Sequence, residues 1–334
     1  MSRFASVFAV SLLAAPVFAA PPVCLDDAPL RAVWFADQRE GWAAGDHGVV
    51  WHTIDGGQTW EQQRTGTRAS LRAVHFLSPY TGFAVGRVEL PNDAGSHGVV
   101  LRTEDGGATW KELTSSTLPG LNAVRFADEN RGVVFGDGTD GFPTGAFSTT
   151  DGGKSWSAIT GPRAGSWTCA AMTNATTGIV GGMWGKLMLV RDGKLTAPEL
   201  DPLGNRAVRG IVTDGTRVVA VADGGRILTS ANSGAKWGFA NLPAATESLD
   251  FRCVASAGNH VWAAGRPGSV VFHSSDFGKS WEVQKTSHPV PLNGLCMADA
   301  QTGWAVGELG TILGTSNGGK TWSVLKCGGQ KSAV

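Results

Sequence analysis

The chain has 334 residues, its Lys+Arg 28 are matched by Asp+Glu 28, and only 17% of its residues are charged. That balance excludes a partner gripped through many phosphate contacts, so no nucleic acid is expected. Gly 47 and Trp 13 are high counts, and they fit many short strands and tight turns with large buried aromatics.

Residues 1–19 read as a secretory signal peptide. Arg3 gives a positive start, residues 4–18 are mostly apolar, and Val17-Phe18-Ala19 offers a small-residue cleavage site before Ala20. Pro21-Pro22-Val23 is a poor lipoprotein signal before Cys24. No later run reaches the roughly 18 apolar residues of a membrane helix. The mature chain is expected to be soluble and exported, periplasmic or secreted, with no transmembrane segment.

From residue 30 the chain repeats. Leu30-Arg31-Ala32-Val33-Trp34-Phe35 returns as Leu71-Arg72-Ala73-Val74-His75-Phe76 and as Leu121-Asn122-Ala123-Val124-Arg125-Phe126. After a polar turn comes a second strand, as in Gly41-Trp42-Ala43-Ala44-Gly45, Gly82-Phe83-Ala84-Val85-Gly86 and Gly303-Trp304-Ala305-Val306-Gly307. A third apolar run, such as Val49-Val50-Trp51, leads into Thr53-Ile54-Asp55-Gly56-Gly57-Gln58-Thr59-Trp60. This box recurs at 103–110, 149–156 and 315–322, more loosely at 274–281, and more loosely still at 230–237. Its pattern is Ser/Thr-x-Asp/Asn-x-Gly-x-x-Trp. The Asp folds onto backbone N–H groups ahead of it, the Gly takes positive φ, and the Trp opens a fourth strand. Apolar run, Asp-Gly turn and Trp together predict a β-hairpin.

The fourth unit has only Arg191-Asp192-Gly193-Lys194 where a box is due, which still makes a plain hairpin. Units fall near 30–70, 71–120, 121–166, 167–206, 207–248, 249–291 and 292–326. The expectation is an all-β, seven-bladed β-propeller with four-stranded antiparallel blades. It would occupy 30–327, between a short segment at 20–29 and a tail at 328–334.

The box resembles the Asp-box, or bacterial neuraminidase repeat, which joins the third and fourth strands of a propeller blade. That resemblance raises the question of catalysis. A sialidase of the family carries an arginine triad, a Tyr–Glu nucleophile pair and an Arg-Ile-Pro signature. This chain has one tyrosine, Tyr80, in a first-to-second strand turn, and no Arg-Ile-Pro. The run Asp-Gly-Gly-x-Ser/Thr-Trp with Gly303-Trp304-Ala305-Val306-Gly307 is similar to the photosystem II stability and assembly factor family. That resemblance implies an exported, non-enzymatic ring that binds a partner protein through an arginine-bearing patch, with no cofactor. The other reading is a carbohydrate-active propeller, lectin-like or a sialidase-related glycoside hydrolase. Its carboxylates would come from Asp46, Asp137, Asp223 and Glu308.

Strand alternation places the boxes on one face and the second-to-third strand turns on the other, and the second face is the expected partner surface. The residue after each second strand is charged in six units: Asp46, Arg87, Asp137, Asp223, Arg266 and Glu308. Arg31 and Arg72 open inner strands and add to this rim. Turns carry charge because they are wet, and a gripping surface for carboxylates or amides uses the same residues. Trp184, in a second-to-third turn, is either an exposed anchor or packs on the next blade. The seven histidines, His47, His52, His75, His97, His260, His273 and His288, show no zinc-ligand spacing, and no metal is expected.

Five cysteines remain. Cys24 and Cys327 flank the ring and would meet at its closure as a disulfide, or stand as two thiols. Cys169, Cys253 and Cys296 fall in inner strands at adjacent rather than equivalent positions and read as small buried apolar residues.

Overall fold

Short apolar runs bounded by Gly, Asn and Asp turns pair with their nearest neighbours in sequence, which builds antiparallel meanders. The computed structural model is described over residues 27–327, apart from 94, 114–117, 244–245 and 269. Among the described residues it has seven four-stranded antiparallel sheets, each using four consecutive strands in chain order. The first blade is Leu30–Phe35, Gly41–Gly45, Val50–Thr53 and Glu61–Gln63. The inner strands of the other six are Ser70–Phe76, Leu121–Phe126, Trp167–Met172, Val208–Thr213, Asp250–Ala257 and Leu292–Met297. Each inner strand touches the next, and Leu292–Met297 touches Leu30–Phe35, so the ring is closed. The fourth blade pairs Arg191 with Lys194 around Asp192-Gly193, both at positive φ.

Among the described residues no strand is exchanged where the ring closes; the first blade lies wholly upstream of the second, and the seventh blade holds the last four strands. Closure rests on the interface between blades, where the core lies. Each apolar cluster spans neighbouring blades: Leu30, Phe35, Trp51 and Trp60 of the first pack with Trp304, Val306 and Ile312 of the seventh.

Three of these interfaces share one device. The aromatic that follows the leading Gly of a second strand lies flat on the aromatic that ends the next blade's inner strand. Trp304 stacks on Phe35 with centroids 3.4 Å apart, Trp42 on Phe76 at 3.7 Å and Phe83 on Phe126 at 3.6 Å. Behind the rings Phe35, Phe76 and Phe126 lie Gly41, Gly82 and Gly132, where any Cβ would clash with the ring. The indole N–H of Trp304 also donates to Gly56 O of the next blade's box at 2.9 Å, as Trp42 does to Gly106 O and Trp262 to Gly318 O.

The boxes form one hydrogen-bonded unit. In the first, Gly57 N–H donates to Thr53 Oγ1 at 2.9 Å, and Thr53 Oγ1 donates to Asp55 Oδ1 at 2.8 Å. Asp55 also accepts from Thr59 N–H at 2.9 Å and from the Thr59 hydroxyl at 2.7 Å. The box at Ser274 makes the same bonds, and that at Ser230 makes all but the hydroxyl one, because Lys236 stands at that position. Asn232 Oδ1 accepts from Lys236 N–H and from Ser230 Oγ, both at 2.9 Å. These carboxylates work within the turn and make no contact with the channel.

Cys169 and Cys253 differ from expectation. Both are the residue just after the inner-strand register shift, paired with Gly181 and Ala264, so they occupy equivalent positions; only Cys296, opposite Trp304, is offset. The bulge skips a residue that a linear count includes. Burial pushes the thiols of Cys169 and Cys253 up to about 12 and that of Cys296 to about 11, so all three are inert at neutral pH. Of the Cys24–Cys327 pair and the signal peptide, Cys24 and residues 1–19 lie outside the described residues. No helix among the described residues is long and apolar enough to cross a membrane.

Candidate functional site

Every inner strand carries a one-residue register shift near its start, and the residues skipped are Arg31, Arg72, Asn122, Thr168, Arg209, Arg252 and Asn293. A bulged residue leaves the ladder and its side chain is re-aimed. All seven face one cavity of about 450 Å³ at the channel mouth, on the face of the second-to-third turns. In six of the seven blades the residue paired with the start of the inner strand is a glycine; in the fifth it is Ala222. A Cβ at Gly45, Gly86, Gly136, Gly265 or Gly307 would clash with the carbonyl just before or at the start of the inner strand.

Arg87, Ser166 and Met183 complete the lining, so five guanidinium groups and no carboxylate line the mouth among the described residues. The acids stand behind them. Arg31 pairs bidentately with Asp46, Nη2 to Oδ2 at 2.5 Å and Nε to Oδ1 at 3.2 Å, and reaches Glu308 with Nη1 at 3.0 Å. Burial opposes the Arg31 charge, but Asp46 and then Glu308 outweigh it and raise the pKa. Burial likewise works against ionised Asp46, and hydrogen bonds from Arg31 and Ser70 outweigh it and keep the carboxyl below its ordinary range. Arg209 grips Asp223 at 3.0 and 2.9 Å. Asp137 accepts from Arg87 at 2.8 Å, from Ser96 at 2.6 Å and from Ser166 at 2.7 Å. Arg252 donates to Asn293 at 3.0 Å, with Glu308 at 3.8 Å.

Arg72 is different. It makes no ion pair or hydrogen bond among the described residues, and its buried Nε has no partner. Burial, then repulsion by Arg31 and Arg87, lowers its pKa despite Asp46 and Glu89 nearby. Arg252 is pushed the same way by burial and by Arg266 and Arg209. The mouth therefore holds an excess of positive charge whose own counter-ions face away from it.

Of the expected site residues, the structure brings Arg31, Arg72 and Arg87 into the mouth and sets Asp46, Asp137, Asp223 and Glu308 behind them as their anchors. Arg266 is outside the lining, bound to Asp250 at 2.8 Å. Trp184 does not rest on the next blade. It is 58% exposed, and its indole lies on Gly165 of the link into its own blade, where a Cβ would clash. It sits at positive φ, as Leu309 does in the matching turn of the seventh blade, and Leu309 is 56% exposed. Sequence reasoning missed Arg209 and Arg252. The signal was present, since Val208-Arg209-Gly210 and Phe251-Arg252-Cys253 repeat the frame of Leu30-Arg31-Ala32.

The family model of the photosynthesis system II assembly factor YCF48 matches residues 212–325, which is most of the last three blades. Over that stretch the chain is similar to this assembly factor family. A solved structure described as YCF48 bound to D1 peptide superposes on this ring with a TM-score of 0.69 at 21% identity, covering 91% of this chain and 100% of that one. YCF48 from Cyanidioschyzon merolae gives 0.67 at 21% identity, covering 87% and 96%. The WD40 propeller domain of Doa1 gives 0.65 at 12% identity, covering 93% and 96%. At these identities the superpositions establish the shared fold. No curated protein matches the chain.

Proposed function

We propose that this is an exported, non-catalytic propeller that assists assembly or stability of another protein by holding a segment of it on the turn face. The observation that carries this reading is the mouth: five guanidinium groups with no carboxylate among their lining neighbours, and Arg72 left without an ion pair. A carboxylate of a bound segment would take the place of the missing counter-ion, and charge-assisted contacts of this kind are strong in a half-buried setting. Around the mouth, the exposed Trp184, Leu309, Val88 and Leu90 supply apolar area of the sort that anchors protein interfaces. The YCF48 structure holding a D1 peptide supports a peptide-type ligand for a ring of this shape.

The carbohydrate-active alternative needs two carboxylates facing a common pocket, with an aromatic platform. Here Asp46, Asp137, Asp223 and Glu308 are each bound to an arginine, and none lines the mouth among the described residues. Pull-down of the purified mature protein from its own envelope fraction tests the reading. Recovery of a defined protein, lost on Arg72→Gln, is the expected result; recovery of a saccharide, or turnover of a glycoside panel, would sink it.

A further inference from the structure

A second cation lies toward the other end of the channel. Arg125 lines the axial channel beyond the mouth and also a side pocket of about 270 Å³ between the third and fourth blades. That pocket is bounded by Phe126 and Ala127 of one blade and, in the next, by Met172 at the end of the inner strand and residues 173–175 of the first-to-second turn. It therefore opens toward the box face. The matching positions in the other inner strands are Trp34, His75, Ala171, Val212, Ala255 and Cys296. Arg125 is the one cation of that layer, and the small Ala171 follows it.

The half-buried guanidinium donates from Nη1 to the carbonyl of its neighbour Val124 at 2.7 Å. It has no other hydrogen bond and no ion pair among the described residues. What faces it is neutral or a donor. Cys169 is a protonated thiol. His75 accepts from Phe126 N–H at Nδ1, 3.3 Å, and so carries its proton on Nε2. Asn174 Oδ1 is used by the N–H groups of Thr176 and Thr177, both at 2.9 Å, which leaves its amide N–H groups as the unused polar end. A buried charge without a counter-ion is costly, and a planar carboxylate matches a guanidinium bidentately.

We propose that this pocket is a second anion site, in which Arg125 holds a small carboxylate such as acetate or succinate. It is separate from the mouth and does not depend on the peptide reading. The test is the melting temperature of the mature protein in acetate or succinate, against chloride and phosphate at equal ionic strength. A saturating rise of about 5 °C at a hundredfold excess over Kd is expected for the carboxylates. Arg125→Met should abolish the rise, whereas Arg72→Gln should keep it. Asn174→Asp retains the turn-capping oxygen and places a carboxylate on the pocket wall, so it should melt higher without added anion and respond to none. That variant carries the test if Arg125→Met does not fold. No rise with any carboxylate, an unchanged rise in Arg125→Met or Asn174→Asp, or an equal rise with phosphate or chloride would overturn the proposal.

Discussion

Phe35 and Trp304 are far apart in the chain and lie face to face where the ring closes, with planes 3° from parallel and centroids 3.4 Å apart. Gly41 lies behind Phe35, and the indole N–H is tied to Gly56 O. With no exchanged strand among the described residues, this sandwich and the Arg31–Glu308 and Asn293–Leu30 contacts carry the closure. Trp304→Ala should cost about 3–5 kcal/mol of stability, read as a fall in the urea midpoint. A cost under about 1 kcal/mol would mean that closure lies elsewhere.

The boxes make acid stability predictable. Asp276 is held down to about 2; burial opposes its charge, and the bonds from Ser280 and Ser274 outweigh it. A carboxyl with a depressed folded pKa adds stability that is complete above its unfolded value of about 3.9 and is lost as pH falls through 2. Asn232 and Asn317 perform the same turn, so Asp276→Asn should fold normally and show a shallower loss of stability between about pH 4 and 2. Denaturant titrations at stepped pH would read the slope, and an unchanged slope would contradict the assignment.

His75 titrates on the same side of neutrality for a different reason. Burial, then repulsion by Arg125, pushes its pKa down to about 3. The unfolded chain takes up a proton near pH 6.5 and the folded ring does not, so stability falls as pH drops from about 6.5 toward 3. The loss should reach about 2 kcal/mol between pH 7 and pH 5. His75→Gln should remove that slope, and retention of it would assign the effect to another group.

Lys326 stacks its ammonium over Trp51 of the first blade at 4.0 Å, which sets the end of the last strand beside the start of the ring. We propose that Cys327 there pairs with Cys24. A bridge closing roughly 300 residues would stabilise by about 5 kcal/mol on the chain-entropy model. Intact-mass measurement of the exported protein, before and after alkylation without reductant, should show this pair blocked. Alkylation of both thiols would remove the proposal.

Much of this was legible because the repeat is strict. Gly-x-Ala-Val-Gly strands and Asp-Gly-Gly-x-Thr-Trp turns each do one physical job, and even the degenerate box at Ser230 keeps the backbone N–H and Ser hydroxyl bonds of the turn. The mouth was half legible. Arg31 and Arg72 stood out beside identical neighbours, while Arg209 and Arg252 sat next to Gly210 and Cys253 and escaped notice. What no linear reading supplied was the bulge: it decides that these side chains enter the channel, and it brings Cys169 into register with Cys253. Nor could sequence show which acids serve which arginines, because Arg31–Glu308 and Arg87–Asp137 cross from one blade to another.

The measurement nearest the centre of the account is the affinity of the mature ring for a short peptide with paired aspartates, against the same peptide with asparagines, for the native protein and for Arg72→Gln. A mouth lined by guanidinium groups that lack inward-facing counter-ions should favour the acidic peptide by about tenfold or more, with affinity falling as salt rises, and Arg72→Gln should erase most of that preference. Equal binding of the two peptides, or a preference untouched by Arg72→Gln, would contradict a charge-reading mouth.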